Sequence, residues 1–209
     1  EEKAKEISAD IIIGTDPDSD RIGAGVMHDG KIVYLSGNQT GALFVDFLAR
    51  MRQSAGKKLI TSIVTGDMGQ DIAASYGVET IRTFTGFKDL AAEMNRHRED
   101  EILMAYEESY GYMMGDYVRD KDAVTASMMV AEMAAYYYDK GMNLSQAMES
   151  LYEKYGRYAE KTLNLVMPGL DGLVKMKKLM DELRGNPPKE IAGVEVFKLR
   201  DYSDGSIKV

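Results

Sequence analysis

The chain has 209 residues, 44% hydrophobic and 29% charged, with a formal net charge of −8. That composition fits a globular chain with one large core or one core plus parts of others. The acidic balance argues against nucleic acid or an anionic membrane as a partner. No apolar run approaches a membrane span, and the absence of cysteine excludes disulfides and thiolate metal sites and agrees with a cytoplasmic location.

The charged start Glu1-Glu2-Lys3-Ala4-Lys5-Glu6 is unlike a signal peptide, and the missing initial Met predicts a piece of a longer polypeptide. Residues 1–35 read as the end of a domain. Ile11-Ile12-Ile13-Gly14-Thr15 is apolar and β-branched, which predicts a buried strand. Asp16-Pro17-Asp18-Ser19-Asp20-Arg21 follows it. In a curved loop the alternate carboxylates of Asp16, Asp18 and Asp20 converge, and they repel unless a cation joins them. Oxygen ligands suit Mg²⁺ or Ca²⁺ rather than zinc. A solvated acidic turn is the alternative; the strand in front and Arg21 behind favour a site. An EF-hand is excluded, because its sixth position would be Arg21 and its twelfth Met27. An Arg beside a cation site points to an arriving anion, such as a phosphate held bidentately.

Strands at 22–27 and 32–35 flank an Asp29-Gly30 turn, which leaves His28 exposed. From Ser36 the period changes. Phe44, Phe47, Leu48 and Met51 mark a helix, 58–64 a strand, then a short helix stopping near Gly77 and a strand over 78–82. Phe87, Leu90, Ala91 and Met94 mark the next helix and 102–106 the next strand. A long helix over 122–140 carries Met128, Met129 and Met133 as core filler. Another starts behind Asn143 with Gln146 three residues on and ends at Gly156. Strands alternating with helices over 36–156 predict an α/β layer with a mixed, mainly parallel sheet and helices on both faces, flanked by partial domains. Beyond it lie a strand at 161–166, a helix marked by Leu173, Met176, Leu179, Met180 and Leu183, and a strand at 194–199. That tail, 157–209, reads as the start of another domain.

Three further stretches carry chemistry. Glu107-Glu108-Ser109-Tyr110-Gly111 offers acceptors and a donor for sugar hydroxyls, with Gly111 for a tight turn or close ligand approach; a solvated loop is the alternative. Thr85-Gly86-Phe87-Lys88 opens a helix and could favour an anion, or Thr85 could simply cap it. In Arg119-Asp120-Lys121-Asp122 the two cations are anion candidates, and one of the two Asp could be an N-cap.

The segment Ala9 to Arg21 resembles the metal-binding loop of the α-D-phosphohexomutase superfamily, the phosphoglucomutases and phosphomannomutases. The family's sugar-binding Glu-x-Ser-x-Gly is similar to Glu107, Ser109 and Gly111, with Tyr106 where a Gly usually precedes the first Glu. Thr85 to Lys88 is similar to its Thr-Gly-aromatic-Lys segment, and Arg119 to Ala123 to its Arg-x-Lys-Asp-Gly, with Ala123 in place of the Gly. The resemblance implies the end of domain 2 in residues 1–35, domain 3 in 36–156 and the incomplete start of domain 4 in 157–209. It implies Mg²⁺ on Asp16, Asp18 and Asp20, Arg21 against a phosphoserine, and sugar phosphate on Gly86, Lys88, Glu107, Ser109, Arg119 and Lys121. The implied activity is phosphoryl transfer between C1 and C6 of a hexose phosphate, through a phosphoserine and a bisphosphate. No Thr-Ala-Ser-His-Asn-Pro-like stretch occurs, so the catalytic Ser is absent and the missing domains of the polypeptide are implied partners. No Arg-x-Ser-Gly-Thr-Glu-Pro-like stretch occurs either, so the implied C-terminal phosphate-binding loop is missing as well. A pentose-phosphate or amino-sugar mutase, a metal or sugar-phosphate binding module, and a structural α/β domain are the competing readings.

Overall fold

Strands with apolar residues at successive positions must bury both faces, and two of them set the architecture. The computed structural model describes residues 1–98, 101–114, 118–160 and 166–202. In it β4 (Lys58–Ser62), β5 (Glu79–Thr83), β6 (Ile102–Glu107) and β7 (Gly111–Met113) form one sheet of order β5-β4-β6-β7. β4 is parallel to β5 and β6, whereas β7 runs antiparallel on the edge, so the sheet is mixed and mainly parallel. Leu59, Met104, Tyr106 and Tyr112 face α2 (Gly37–Met51) in the large core cluster. The alternate residues Ile60, Ala105 and Met113 pack with Phe87, Leu90 and Met94 of α4 (Phe87–Met94) in a second cluster. Helices therefore cover both faces. The register jumps between Lys58↔Ile102 and Leu59↔Met104, which puts Leu103 and Met104 in the same cluster. β7 was not expected from the sequence; three residues are too few to show a period.

After the short helix α1 (Glu2–Glu6), a separate antiparallel sheet contains β1 (Ile11–Thr15), β2 (Ile22–His28) and β3 (Lys31–Leu35) in that order. Asp29 and Gly30 have φ of 49° and 72°, the two positive values a type I′ hairpin requires. β1 departs from the buried strand expected: as an edge strand it is only half-buried at Ile11, Ile12 and Ile13, and Gly14 and Thr15 are exposed. His28 is half-buried rather than exposed, with Nδ1 3.1 Å from the Asn143 amide nitrogen.

Ser36 and Gln39 form a reciprocal capping box at α2, and Asn143 and Gln146 do so at α6 (Leu144–Tyr155). α3 (Met68–Ser75) stops just before Gly77, whose φ is 72°. α5 (Ala123–Tyr138) is shorter than the span 122–140, and Met128 on it is 61% exposed while Met129 and Met133 are buried. Met51 is likewise exposed at the end of α2.

Residues Glu1–Ala159 make one compact unit, in which Ile22, Ala24, Val26 and Leu35 share a core with α2, α5 and α6. Glu160–Val209 make another, containing α7 (Leu170–Gly185) and the hairpin of β8 (Glu190–Ile191) and β9 (Val194–Glu195). The strand expected at 161–166 falls almost entirely outside the described residues, and that at 194–199 is reduced to β9. Leu173, Met176, Met180 and Leu183 of α7 are exposed. No helix among the described residues is long and apolar enough to cross a membrane.

Candidate functional site

The last pair of the β1–β2 ladder is Thr15↔Ile22, so Asp16 to Arg21 must reverse the chain. The reversal is closed by Ser19 N donating to Asp16 O at 3.0 Å, with Ser19 at φ 55°. The Asp16 carboxylate turns inward and accepts the amides of Asp20 (3.1 Å) and Arg21 (3.0 Å). The Arg21 amide bond is the main reason the Asp16 carboxyl is held below the usual carboxylate range. This turn brings one carboxylate oxygen each of Asp16, Asp18 and Asp20 within 4.8 Å of one another. An all-oxygen set of three carboxylates fits a hard divalent cation. A protein cation already faces it: Lys121 Nζ is 2.9 Å from Asp20 Oδ2, and Arg21 Nε is 3.7 Å from Asp20 Oδ1.

Glu108, Ser109 and Tyr110 form the turn between β6 and β7. The positive φ, 69°, falls on Tyr110 and not on Gly111, as in three-residue hairpins with one left-handed position. Gly111 is needed for another reason than the turn expected of it. A Cβ there would stand 2.3 Å from Lys121 Cδ and 3.3 Å from Phe87 Cε2. Glu107 is 6% exposed, and its Oε1 accepts the Gly86 amide at 2.8 Å. Glu108 accepts from Thr65 Oγ1 (3.2 Å) and Ser62 Oγ (3.4 Å). Ser109 is half-buried in the turn. α2 abuts this turn so closely that a Cβ on Gly37 would stand 1.9 Å from Glu108 O.

Gly86, at φ 121°, occupies the capping position of α4, and Thr85 does not cap it. Lys88 is exposed in the first turn of α4, and Arg119 is exposed ahead of α5. Asp122, not Asp120, caps α5, accepting from Val124 N at 2.9 Å. Burial pulls the Lys121 ammonium down, but the Asp20 and Asp120 carboxylates outweigh it and hold it above the usual lysine value.

Main-chain bonds tie these stretches together. Ile22 N donates to Tyr110 O (3.2 Å), Ala123 N to Ser19 O (3.0 Å) and Asp122 N to Tyr112 O (3.1 Å), and Arg21 and Gly111 form an antiparallel bridge. The Asp loop, the β6–β7 hairpin, the start of α4 and the start of α5 thus meet around Gly111 and Lys121. A groove of about 800 Å³ between β1–β2 and α5–α6 is lined by none of the candidate residues.

Sequence reasoning missed several supports. Phe87, read as a helix-face residue and as the aromatic of the Thr85–Lys88 segment, also lies under the Lys121 ammonium, 5.1 Å from ring centroid to Nζ. Tyr106 is fully buried and stacks near Tyr112, and helix glycines at 41 and 69 clear space for it. Glycines inside otherwise apolar helical patterns were the available signal.

Residues 36–155, more than half of the chain, match the family model described as phosphoglucomutase/phosphomannomutase, alpha/beta/alpha domain III. A phosphoglucomutase of Staphylococcus aureus (strain bovine RF122 / ET3-1) is 35% identical over 204 residues, covering 96% of this chain and 37% of its own. One of Staphylococcus epidermidis (strain ATCC 12228 / FDA PCI 1200) is 35% identical over 211 residues, covering 98% and 38%. This chain therefore spans little more than a third of the length of the curated relatives it matches. Among solved structures, a phosphoglucomutase/phosphomannomutase family protein from Burkholderia thailandensis superposes with a TM-score of 0.64 at 18% identity, covering 94% of this chain and 38% of that one. Parafusin from Paramecium gives 0.59 at 18%, covering 71% and 25%. The fold is shared with these structures, and with its domain III match the chain belongs to the phosphoglucomutase/phosphomannomutase family.

Proposed function

We propose that the chain supplies the metal loop and the sugar-contacting loop of a phosphohexomutase, which moves a phosphoryl group between the C1 and C6 oxygens of a hexose phosphate, glucose phosphate foremost. The observation that supports this reading best is convergence: four stretches separated by up to a hundred residues meet at Gly111 and Lys121. Phosphoryl transfer asks a protein mainly for positioning and charge neutralisation, and the residues here supply both.

Asp16, Asp18 and Asp20 would hold Mg²⁺, the hard cation their oxygens suit. Bound there, the ion would neutralise phosphate charge during transfer. Arg21, its side chain 51% exposed, presents a guanidinium to the same phosphate. Lys88, Arg119 and Lys121 add positive charge for the substrate's phosphate, and Gly86 fixes the start of α4 against Glu107. Glu107 and Ser109 would bind sugar hydroxyls in either orientation of the substrate. The phosphoryl-carrying serine is expected from polypeptide outside this chain, so the 209 residues alone should be inactive. A cytoplasmic location goes with hexose-phosphate chemistry and a cysteine-free sequence.

The test is a chimera in which this chain replaces the aligned segment of the Staphylococcus aureus phosphoglucomutase. It is assayed with glucose, mannose, glucosamine and ribose 1-phosphates. Conversion of glucose 1-phosphate to glucose 6-phosphate is expected; a folded chimera inert toward all four would overturn the reading.

A further inference from the structure

Lys121 stands against the acidic loop. Its side chain is 13% exposed, with Nζ 2.9 Å from Asp20 Oδ2 and 3.4 Å from Asp120 Oδ1. The stem crosses Gly111 so closely that a Cβ there would stand 2.3 Å from Lys121 Cδ, and the ammonium lies over the Phe87 ring. One side chain therefore touches the Asp loop, the hairpin, the start of α4 and its own stretch. Asp20 cannot serve a divalent ion and this ammonium equally well, because the two positive charges repel at such distances. An ammonium paired with two carboxylates is, in turn, a weak ligand for phosphate.

We infer that Lys121 and the divalent cation exchange at Asp20. Without metal, the ammonium neutralises Asp20 and holds the α5 start against the loop. Metal entry takes over Asp20 and frees Nζ, which turns toward the substrate's phosphate. Metal and anion binding are then positively coupled, and linkage makes the coupling reciprocal. The inference rests on reading Asp16, Asp18 and Asp20 as a metal site.

Calorimetric Mg²⁺ titration of the 209-residue chain, wild type against Lys121→Met and Lys121→Arg, tests it. Met keeps an unbranched stem over Gly111 and Phe87, and thermal melts check that the fold is kept. Lys121→Met should bind Mg²⁺ roughly two- to fivefold tighter than wild type, and Lys121→Arg should stay close to wild type. Equal affinities in wild type and Lys121→Met overturn the exchange and leave the metal site standing. No binding in any of the three overturns the metal site and the exchange with it. Reductive methylation followed by mass spectrometry gives a second readout. Saturating Mg²⁺ should speed modification of Lys121 several-fold while exposed Lys31 is unchanged; a Lys121 rate indifferent to Mg²⁺ overturns the exchange.

Discussion

Gly41 lies inside α2, where Ala would ordinarily stabilise a helix by ~1 kcal/mol. The structure reverses that sign. A Cβ on Gly41 would meet Tyr106 at 2.2 Å (Cε2), 2.5 Å (Cδ2) and 2.8 Å (Cζ). The ring cannot retreat, because it is 1% exposed, stacks on Tyr112 with centroids 6.3 Å apart, and keeps its hydroxyl where a Cβ on Gly69 would stand 2.2 Å away. Overpacking a rigid core costs roughly 1–3 kcal/mol. Three ring atoms inside 3 Å put Gly41→Ala at the upper end. Subtracting the helix gain leaves a net loss of about 2 kcal/mol, or a Tm lower by roughly 4–8 °C for a chain of this size. Differential scanning calorimetry measures it. In a Tyr106→Leu background, where the ring is gone, the same change should be neutral or stabilising. A rise in Tm on Gly41→Ala with Tyr106 present would refute the account of how β6 is seated, and with it the placement of Glu107.

Asp18→Asn should lower Mg²⁺ affinity about tenfold or more, since Mg²⁺ tolerates little loss of charged oxygen; calorimetry showing unchanged affinity removes the loop from metal binding. In the chimera, Glu107→Ala should cut mutase turnover roughly ten- to a hundredfold, the worth of one charged hydrogen bond at about 1.5–3 kcal/mol, and normal kinetics would exclude the hairpin from the sugar site. Burial raises the Tyr76, Tyr112 and Tyr137 hydroxyls above the usual tyrosine value, with the Asp46 carboxylate adding to the first and third. Their folded-state values exceed the unfolded one, so the unfolded chain loses these protons first. The stabilisation is whole below about pH 10 and is lost as pH climbs above it. Urea midpoints that do not fall between about pH 9 and 11 would contradict this, and Tyr137→Phe should flatten the fall.

Elements with several periods of pattern were legible in the sequence, as were α6 with its Asn143–Gln146 box and the Asp29-Gly30 hairpin. So was the acidic loop, because alternate carboxylates at a chain reversal leave few geometries. What failed to show depends on neighbours distant in sequence. Ile11 to Ile13 look the same whether a strand is central or on an edge, and here β1 has only β2 beside it. Gly111 looks like a turn glycine, yet its conformation needs no glycine; the Lys121 stem does. Met128 and Met129 are equally apolar, and only the packing of α5 decides which one is covered. The Ser36–Gln39 box was visible in principle, being the same pattern as the one behind Asn143.

The two sheets of the first unit meet where the chemistry is proposed. Arg21 forms a backbone bridge with Gly111, and Ile22 donates to Tyr110, so the Asp loop and the hairpin turn are held by shared main-chain bonds. Ala123 N, at the start of α5, donates to Ser19 O and links that helix to the same loop. Backbone bonds of this kind fix positions without depending on side-chain charge, so the geometry survives while carboxylates and ammonium groups change partners. That separation is what an exchange at Asp20 needs. Lys121 can leave the carboxylate without releasing the hairpin, because the hairpin is held by the bridge. If the Asp loop holds the metal and the hairpin the sugar, as proposed, these shared main-chain bonds would keep a fixed distance between cation and sugar, whichever end of the substrate faces them.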